Sequence, residues 1–120
     1  MSRWLMIMQQ DITTRIYSDA ETTLTLATEL PLWSLRHGWL WRQYPTLDWA
    51  HTLMLVATIG QLAEAENHHP KLIVSYASVI VKLMTHSVSG ISDKDFTLAK
   101  KIEEIVMHSP VAEDVSLSMR

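Results

Sequence analysis

The segment between Pro45 and Pro70 places the strongest limit on how this chain can fold. Asp48 is a good N-cap for WAHTLMLVATIGQLAEAE, and Pro70 cannot continue a helix, so one helix is predicted over 49–65. Its apolar residues lie on two sides, with Trp49, Leu53, Val56 and Gly60 on one and Leu55, Ile59 and Leu62 on the other. Such a helix is either enclosed in a core or shared with a second subunit. We expect one side to cover a sheet and the other to meet a second copy of the chain.

The segments on both sides of this helix have the composition of β-hairpins. Before it, LWSLRHGWLWRQY is rich in aromatic residues, and His37-Gly38 at its centre predicts two short strands that end at Pro45. After it, KLIVSYASVIVKLMT is dense in β-branched residues. Because a single strand over 71–85 would be unusually long, we expect a hairpin with its turn near Ala77-Ser78.

A further helix is predicted near each end of this arrangement. From Ala20, AETTLTLATEL has helical spacing and stops at Pro31. Nearer the C-terminus, Ser92 and Asp95 form a capping-box pattern. The expected apolar stripes are Leu24, Ala27 and Leu30 in the first helix, and Phe96, Ala99, Ile102 and Val106 in the last.

The predicted order of elements is α-β-β-α-β-β-α. This order indicates an α+β domain, a four-stranded antiparallel sheet with three helices on one face. A chain of 120 residues accommodates one such domain. We assign the domain to 20–108, with a flexible or edge-packed extension over 1–19 and a polar tail over 109–120. Asp11 and Asp19 count against an organelle-targeting peptide in the extension.

Composition excludes several classes of function. The chain has no Cys, so disulfides, Cys-ligated zinc and thiol nucleophiles are excluded. Its formal net charge of −3 and the lack of a basic stripe argue against direct binding of nucleic acid. The sequence shows neither a secretory signal nor an apolar run near the roughly 20 residues that a membrane span needs. We therefore expect a soluble, cytoplasmic protein with no membrane partner.

Histidine is concentrated in one stretch, EAENHHPKLIVSYASVIVKLMTH, from Glu64 to His86. The imidazole pKa lies close to neutrality, so a cluster of histidines suggests proton transfer or metal binding. The candidate functional histidines are His68, His69 and His86. The remaining histidines have no motif around them and are expected to be surface residues: His37, His51 and His108.

The spacing around these histidines resembles the signature of the pterin-4a-carbinolamine dehydratases. The residues that carry the resemblance, with fixed spacing, are Glu64, His68-His69-Pro70, Tyr76, His86 and Asp95. LWRQYPTLDW over 40–49 is similar to the family's entry into its central helix, and THSVSGISDKDFTLAKKIEE over 85–104 is similar to its closing segment. Lys71 and Leu72 depart from the family pattern of a Glu and an aromatic residue, so the resemblance does not predict the side chain preferred at C6 of the pterin.

The resemblance implies a hydro-lyase that removes water from 4a-hydroxytetrahydrobiopterin, the pterin-4a-carbinolamine, to give quinonoid dihydropterin. The family does so in tetrahydrobiopterin recycling, after aromatic amino-acid hydroxylases, with no metal and no cofactor. Expulsion of the hydroxyl needs a general acid on the leaving oxygen and a base for the N5 proton. Histidine can supply either role, and each typically accelerates a reaction by roughly 10²–10⁴-fold. The implied partners are the pterin substrate and further copies of the chain, in a homodimer or homotetramer.

Carried onto this sequence, the family pattern makes His68 and His86 an acid/base pair whose individual roles stay open, with His69 holding the pterin and assisting. Glu64, one helical turn before His68, would orient His68, and Asp95 would orient His86. The expected substrate contacts are Asn67, Pro70 and Thr85.

Simpler roles stay open for three of the motif's residues. Asp95 could only complete the Ser92 cap, Glu64 could be a solvated charge, and Tyr76 is expected to pack in the core or in a hairpin.

Two other functions stay open. The three histidines, with Glu64 or Asp95, could bind zinc, although their spacing follows no familiar zinc pattern. The fold could also serve as a non-catalytic dimerisation or coactivator-type binding protein, since some animal members of the family double as coactivators. A pure binding role would tolerate loss of the histidines.

Overall fold

The computed structural model describes residues 14–109, and its four strands form one antiparallel sheet in the order β1-β2-β4-β3. The elements are α1 (Asp19–Glu29), β1 (Ser34–Arg36), β2 (Trp39–Pro45), α2 (Trp49–Glu66), β3 (Lys71–Ser75), β4 (Ser78–Leu83), a 3₁₀ turn (His86–Val88) and α3 (Asp93–Met107). The predicted α+β fold, with its element order, is confirmed. Most of the predicted extension, 1–13, and the tail over 110–120 lie outside the described residues.

Both predicted hairpins form. In the first, His37 (φ 51°) and Gly38 (φ 82°) both have positive φ, as tight two-residue hairpin turns require. In the second, Ser75 pairs with Ser78 around Tyr76-Ala77. Of the two places expected for Tyr76, the hairpin is confirmed and the core is wrong, because its side chain stands at the turn and is 68% exposed.

The register of the sheet decides which residues enter the core. Residues directly opposite each other on neighbouring strands share a face, and the face alternates along each strand. The buried pairs that face the helices are Leu40 with Leu83, Arg42 with Val81, and Tyr44 with Val79. The helices contribute Leu26, Leu55, Ile59, Leu98 and Ile102 to the same core.

α1 forms as predicted but presents a different side to the core. Its buried residues are Thr22 and Leu26, followed by Leu30 at the C-cap, whereas Leu24 is 69% exposed. Ala27 is exposed as well, so the predicted core positions of Leu24 and Ala27 are wrong, and that of Leu30 is confirmed. Residues four apart keep to one side of a helix over two turns better than residues three apart. Ser18 and Glu21 also form a capping box that starts this helix.

One carboxylate attaches α3 to the sheet. Glu103 accepts hydrogen bonds from Arg42 Nε (2.9 Å), Tyr44 Oη (2.6 Å) and Trp33 Nε1 (2.9 Å). Burial and the bond to Glu103 raise the pKa of Tyr44 far above its usual value. Burial acts to raise the pKa of Glu103, but the bonds from Arg42 and Tyr44 outweigh it, so that pKa is lowered. This network holds α3, whose first turn carries Asp95, at a set distance from β2.

α2 has the two apolar sides that the sequence predicts. Thr52, Leu55, Ile59 and Ala63 are buried, while Trp49, Leu53 and Met54 are 46%, 49% and 63% exposed. No helix within 14–109 is long and apolar enough to cross a membrane.

Candidate active site

The joint between α2 and β3 positions the adjacent histidines. Asn67 caps α2 in the left-handed conformation (φ 50°), which Asn adopts more readily than most residues. The His68 N–H then donates to Ala63 O at 3.1 Å, which turns the chain back against the end of the helix. β3 begins at Lys71, directly after Pro70. The two histidines therefore lie on a short joint between a long helix and a strand.

His68 contacts a carboxylate at the start of α3. Its Nε2 atom lies 2.6 Å from Asp95 Oδ1, and the two side chains are 11% and 0% exposed. The other oxygen, Oδ2, accepts from Thr85 Oγ1 at 2.7 Å and from the Ser92 N–H at 2.9 Å. Both oxygens of the buried Asp95 carboxylate therefore have hydrogen-bond partners inside the protein.

The hydroxyl groups around Asp95 have an assignable direction. Thr85 and Ser92 hydroxyl oxygens are 2.6 Å apart, and Thr85 has one proton, which it donates to Asp95. Ser92 therefore donates to Thr85. On the opposite side, an ionised carboxylate only accepts, so the His68 Nε2 atom carries a proton. In neutral His68 the free lone pair is then on Nδ1.

His86 reaches the same cluster through its neighbour in the sequence. Thr85 forms an isolated bridge with Gly90 after β4, and His86 opens the 3₁₀ turn between them. The His86 side chain is exposed and meets the Trp39 ring edge-on, with 5.8 Å between centroids. Asp95 thus forms hydrogen bonds both with His68 and with Thr85, which directly precedes His86.

The carboxylate partners of the histidines differ from those expected. Glu64 Oε2 lies 2.9 Å from His69 Nε2, and not beside His68, while Asp95 contacts His68 and not His86. Both expected pairings are wrong because the left-handed turn at Asn67 directs His68 toward α3 and leaves His69 over the last turn of α2. The Glu64–His69 pair is on the surface, with its side chains 80% and 59% exposed.

The remaining candidate residues lie in different places relative to the cleft beside His68. An open cleft of about 360 Å³ is lined by Glu66, Asn67, His68, Asp93, Lys94 and Thr97, and His69 and His86 do not line it. Pro70 is half-buried, and Thr85 is buried with its hydroxyl bound to Asp95. Tyr76 lies at the other end of α2, where its carbonyl accepts from Thr52. The motif residue Tyr76 is therefore remote from His68.

The contacts of two residues near the histidines, Ser92 and Trp39, were not predicted from the sequence. Ser92 was expected only as a helix cap, and its bond to Thr85 depends on the bridge that brings Thr85 beside α3. Trp39 was expected only as a strand residue, and its contact with His86 depends on strand order. Among residues 14–109, no three His, Asp or Glu side chains are grouped as metal ligands.

Comparison with known proteins adds the family. The profile described as pterin 4 alpha carbinolamine dehydratase matches residues 15–105, which include every candidate of this site. The chain belongs to this family. A pterin-4-alpha-carbinolamine dehydratase of Aquifex aeolicus, so assigned only provisionally, is 42% identical over 74 residues, which cover 62% of this chain and 75% of the relative. One of Prochlorococcus marinus, assigned in the same way, is 39% identical over 83 residues, covering 69% and 86%.

A solved dehydratase-family structure has the same fold. The crystal structure of a transcriptional coactivator/pterin dehydratase from Brucella melitensis aligns with a TM-score of 0.69 and 25% identity. The alignment covers 76% of this chain and 98% of the Brucella chain. The Brucella protein is thus described both as a transcriptional coactivator and as a pterin dehydratase.

Proposed function

We propose that this chain is a 4a-hydroxytetrahydrobiopterin dehydratase that works by histidine acid/base catalysis. The observation that carries the proposal is the buried His68–Asp95 pair, supported by Thr85 and Ser92, at the position of the family's histidine motif. A histidine held by a buried carboxylate has a set ring orientation and a set tautomer, which proton transfer requires.

The hydrogen bond to Asp95 favours His68 as the base. With Nε2–H donated to Asp95, Nδ1 is free to take the N5 proton of the carbinolamine. The imidazolium that forms is then stabilised by the Asp95 carboxylate. As the N5–H bond breaks, the C4a=N5 bond forms, and the C4a hydroxyl leaves as water after receiving a proton from an acid. The products are quinonoid dihydropterin and one water molecule.

His86 is the proposed acid, and His69 the proposed substrate contact. His86 is exposed and can exchange protons with solvent, so it can be recharged after each turnover. His69, which pairs with Glu64 on the surface, would hold the pterin and assist. Asn67 and Pro70 would contact the substrate from the joint. Thr85, whose hydroxyl donates to Asp95, would also contact the substrate.

The reaction sets the biological context of the proposal. The substrate is the product of a pterin-dependent hydroxylase, so the chain would act in tetrahydrobiopterin recycling after an aromatic amino-acid hydroxylase. We propose a cytoplasmic homodimer or homotetramer, in which the exposed side of α2 lies between subunits.

The test is an assay with freshly generated 4a-hydroxytetrahydrobiopterin. Wild type should accelerate dehydration, and His68→Ala and His86→Ala should each lower the rate at least about tenfold. His108→Ala, an exposed histidine at the end of α3, is the matched control and should keep wild-type activity. No acceleration by correctly folded wild type would refute the dehydratase.

A binding role is the second candidate. The exposed Trp49, Leu53 and Met54 on α2 offer an apolar surface for a partner helix, and the related Brucella protein is described as a coactivator as well as a dehydratase. In that case the histidine variants would bind the partner as wild type does.

A further inference from the structure

Charge in this molecule is divided between the helices and the sheet. All ten Asp and Glu residues within 14–109 lie in the helices or at the N-cap of α2, and the strands contain none. Four of the eight Lys and Arg residues in the same range form ion pairs with glutamates. The four without a carboxylate partner are Arg36, Lys71, Lys82 and Lys94, and the first three lie on strands.

These three cations share the face of the sheet that the helices leave uncovered. Arg36 pairs with Trp39, Trp41 with Lys82, and Lys82 in turn with Lys71. Since paired residues share a face, these side chains point away from the core. We call this surface the open sheet face; its members are Ser34, Arg36, Trp39, Trp41, Gln43, Lys71, Ile73, Ile80 and Lys82.

Two of the three cations of the open sheet face, Arg36 and Lys82, lie against its tryptophan rings. The guanidinium carbon of Arg36 lies 3.5 Å from the centroid of the Trp41 ring, and Arg36 Nε donates to Ser34 Oγ at 3.1 Å. Lys82 Nζ lies 4.9 Å from the Trp39 centroid. Stacking and the Ser34 bond reduce the freedom of Arg36, while its terminal N–H groups stay available to an anion.

The chain carries a repulsion that an anionic partner would relieve. Lys71 and Lys82 are directly opposite each other on β3 and β4. Like charges at such positions destabilise a sheet. A carboxylate placed between them would turn this repulsion into two favourable interactions.

We propose that the open sheet face binds an acidic polypeptide segment of another protein, one that carries Asp or Glu beside apolar side chains. The carboxylates would bind Arg36, Lys71 and Lys82. The apolar side chains would contact Ile73, which is 41% exposed, and its neighbour Ile80. Tryptophan and arginine are also the residues most often found at the energetic centre of protein interfaces.

Other occupants fit this face less well. Single-stranded nucleic acid is bound by stacking bases on free aromatic faces, but Arg36 already covers one face of Trp41 and Lys82 one face of Trp39. A second copy would have to present its acidic helices to this sheet. That contact is not reciprocal, so it would extend into an open chain of molecules instead of a closed dimer.

The test uses the full chain and two fluorescein-labelled probes, a short peptide of Asp-Glu-Leu repeats and an oligodeoxythymidylate. We expect the peptide to bind in fluorescence anisotropy at low salt. The double variant Arg36→Gln/Lys82→Gln should weaken binding about three- to tenfold, from the loss of exposed charge pairs. Lys100→Gln/Lys101→Gln, which removes two half-exposed cations from α3, is the control matched in charge and should bind as wild type does.

The remaining outcomes overturn the proposal. They are failure of the peptide to bind, equal weakening by Lys100→Gln/Lys101→Gln, and binding of the oligodeoxythymidylate at least as tight as that of the peptide. Light scattering that shows concentration-dependent growth of wild type, abolished in the double variant, would instead assign the face to a second copy. Circular dichroism melting confirms that each variant is folded.

Discussion

His68 and Asp95, 27 positions apart in the sequence, share a hydrogen bond of 2.6 Å in which the carboxylate is fully buried. The same carboxylate binds Thr85 and the Ser92 N–H, so three segments of the chain meet at one acid. In the proposed reaction this acid decides which nitrogen of His68 is free.

Asp95→Asn should therefore inactivate the protein with little change in shape. Thr85 and the Ser92 N–H both need an oxygen at Oδ2, so the amide nitrogen of Asn would face His68 and require a lone pair on Nε2. The His68 proton would move to Nδ1, and the base would be lost. We expect kcat to fall roughly 10²-fold or more, with a near-native circular dichroism spectrum. Activity above a tenth of wild type would exclude the proposed role of this tautomer.

Thr85→Val tests the support of Asp95. Valine matches threonine in shape but leaves the buried carboxylate without one of its donors, at a cost of about 1–3 kcal/mol in the free energy of unfolding. Urea denaturation measures this cost. Thr85→Ser keeps the hydroxyl and should recover most of the stability and activity. If the two variants behaved alike, the hydroxyl would have no role.

The lowered pKa of Glu103 predicts that the free energy of unfolding decreases at acidic pH. Its pKa is lowered in the folded state, so its contribution is fully present above the unfolded value of 4.5 and is lost as pH falls below that value through the folded pKa. Urea denaturation from pH 7 downward should show this loss in wild type. Glu103→Gln should be less stable at pH 7, because Arg42 stays buried without its partner, and its profile should be flatter. If wild type and Glu103→Gln lost stability in parallel as the pH fell, Glu103 would not be the group responsible for the loss.

The exposed side of α2 predicts an oligomer. Light scattering after size-exclusion chromatography should give a multiple of 13.7 kDa. Leu53→Glu/Met54→Glu should reduce that mass, because it places charges on the apolar side of the helix. Leu24→Glu, at an exposed leucine of α1, is the control and should keep the wild-type mass. A wild-type protein that elutes as a 13.7 kDa monomer would contradict the predicted oligomer.

Local rules predicted the elements well because each has a local signal. The N-cap at Asp48 and the capping box of Ser92 and Asp95 form as expected. The histidine partners were mispredicted because they depend on one backbone conformation, the left-handed turn at Asn67. Spacing along a helix places Glu64 near His68 only if the helix continues to His68, and α2 ends at Glu66, two residues earlier.

Other contacts depend on strands and helices that are distant in the sequence. Glu103 binds Arg42, Tyr44 and Trp33, which lie about sixty to seventy positions away, and no local pattern joins them. The charge division is also hidden from composition, since the net charge of −3 averages an acidic helical layer with a basic sheet.

Within residues 14–109 that division produces an electric dipole, with the sheet as its positive end. Above its pI of about 6.0 the protein is an anion as a whole, yet a negatively charged matrix would meet Arg36, Lys71 and Lys82 first. We therefore expect a cation-exchange column to retain the protein at a pH above its pI, although its net negative charge alone predicts that it flows through. Molecules held in this way would all have the same orientation, with the helical layer facing the solution.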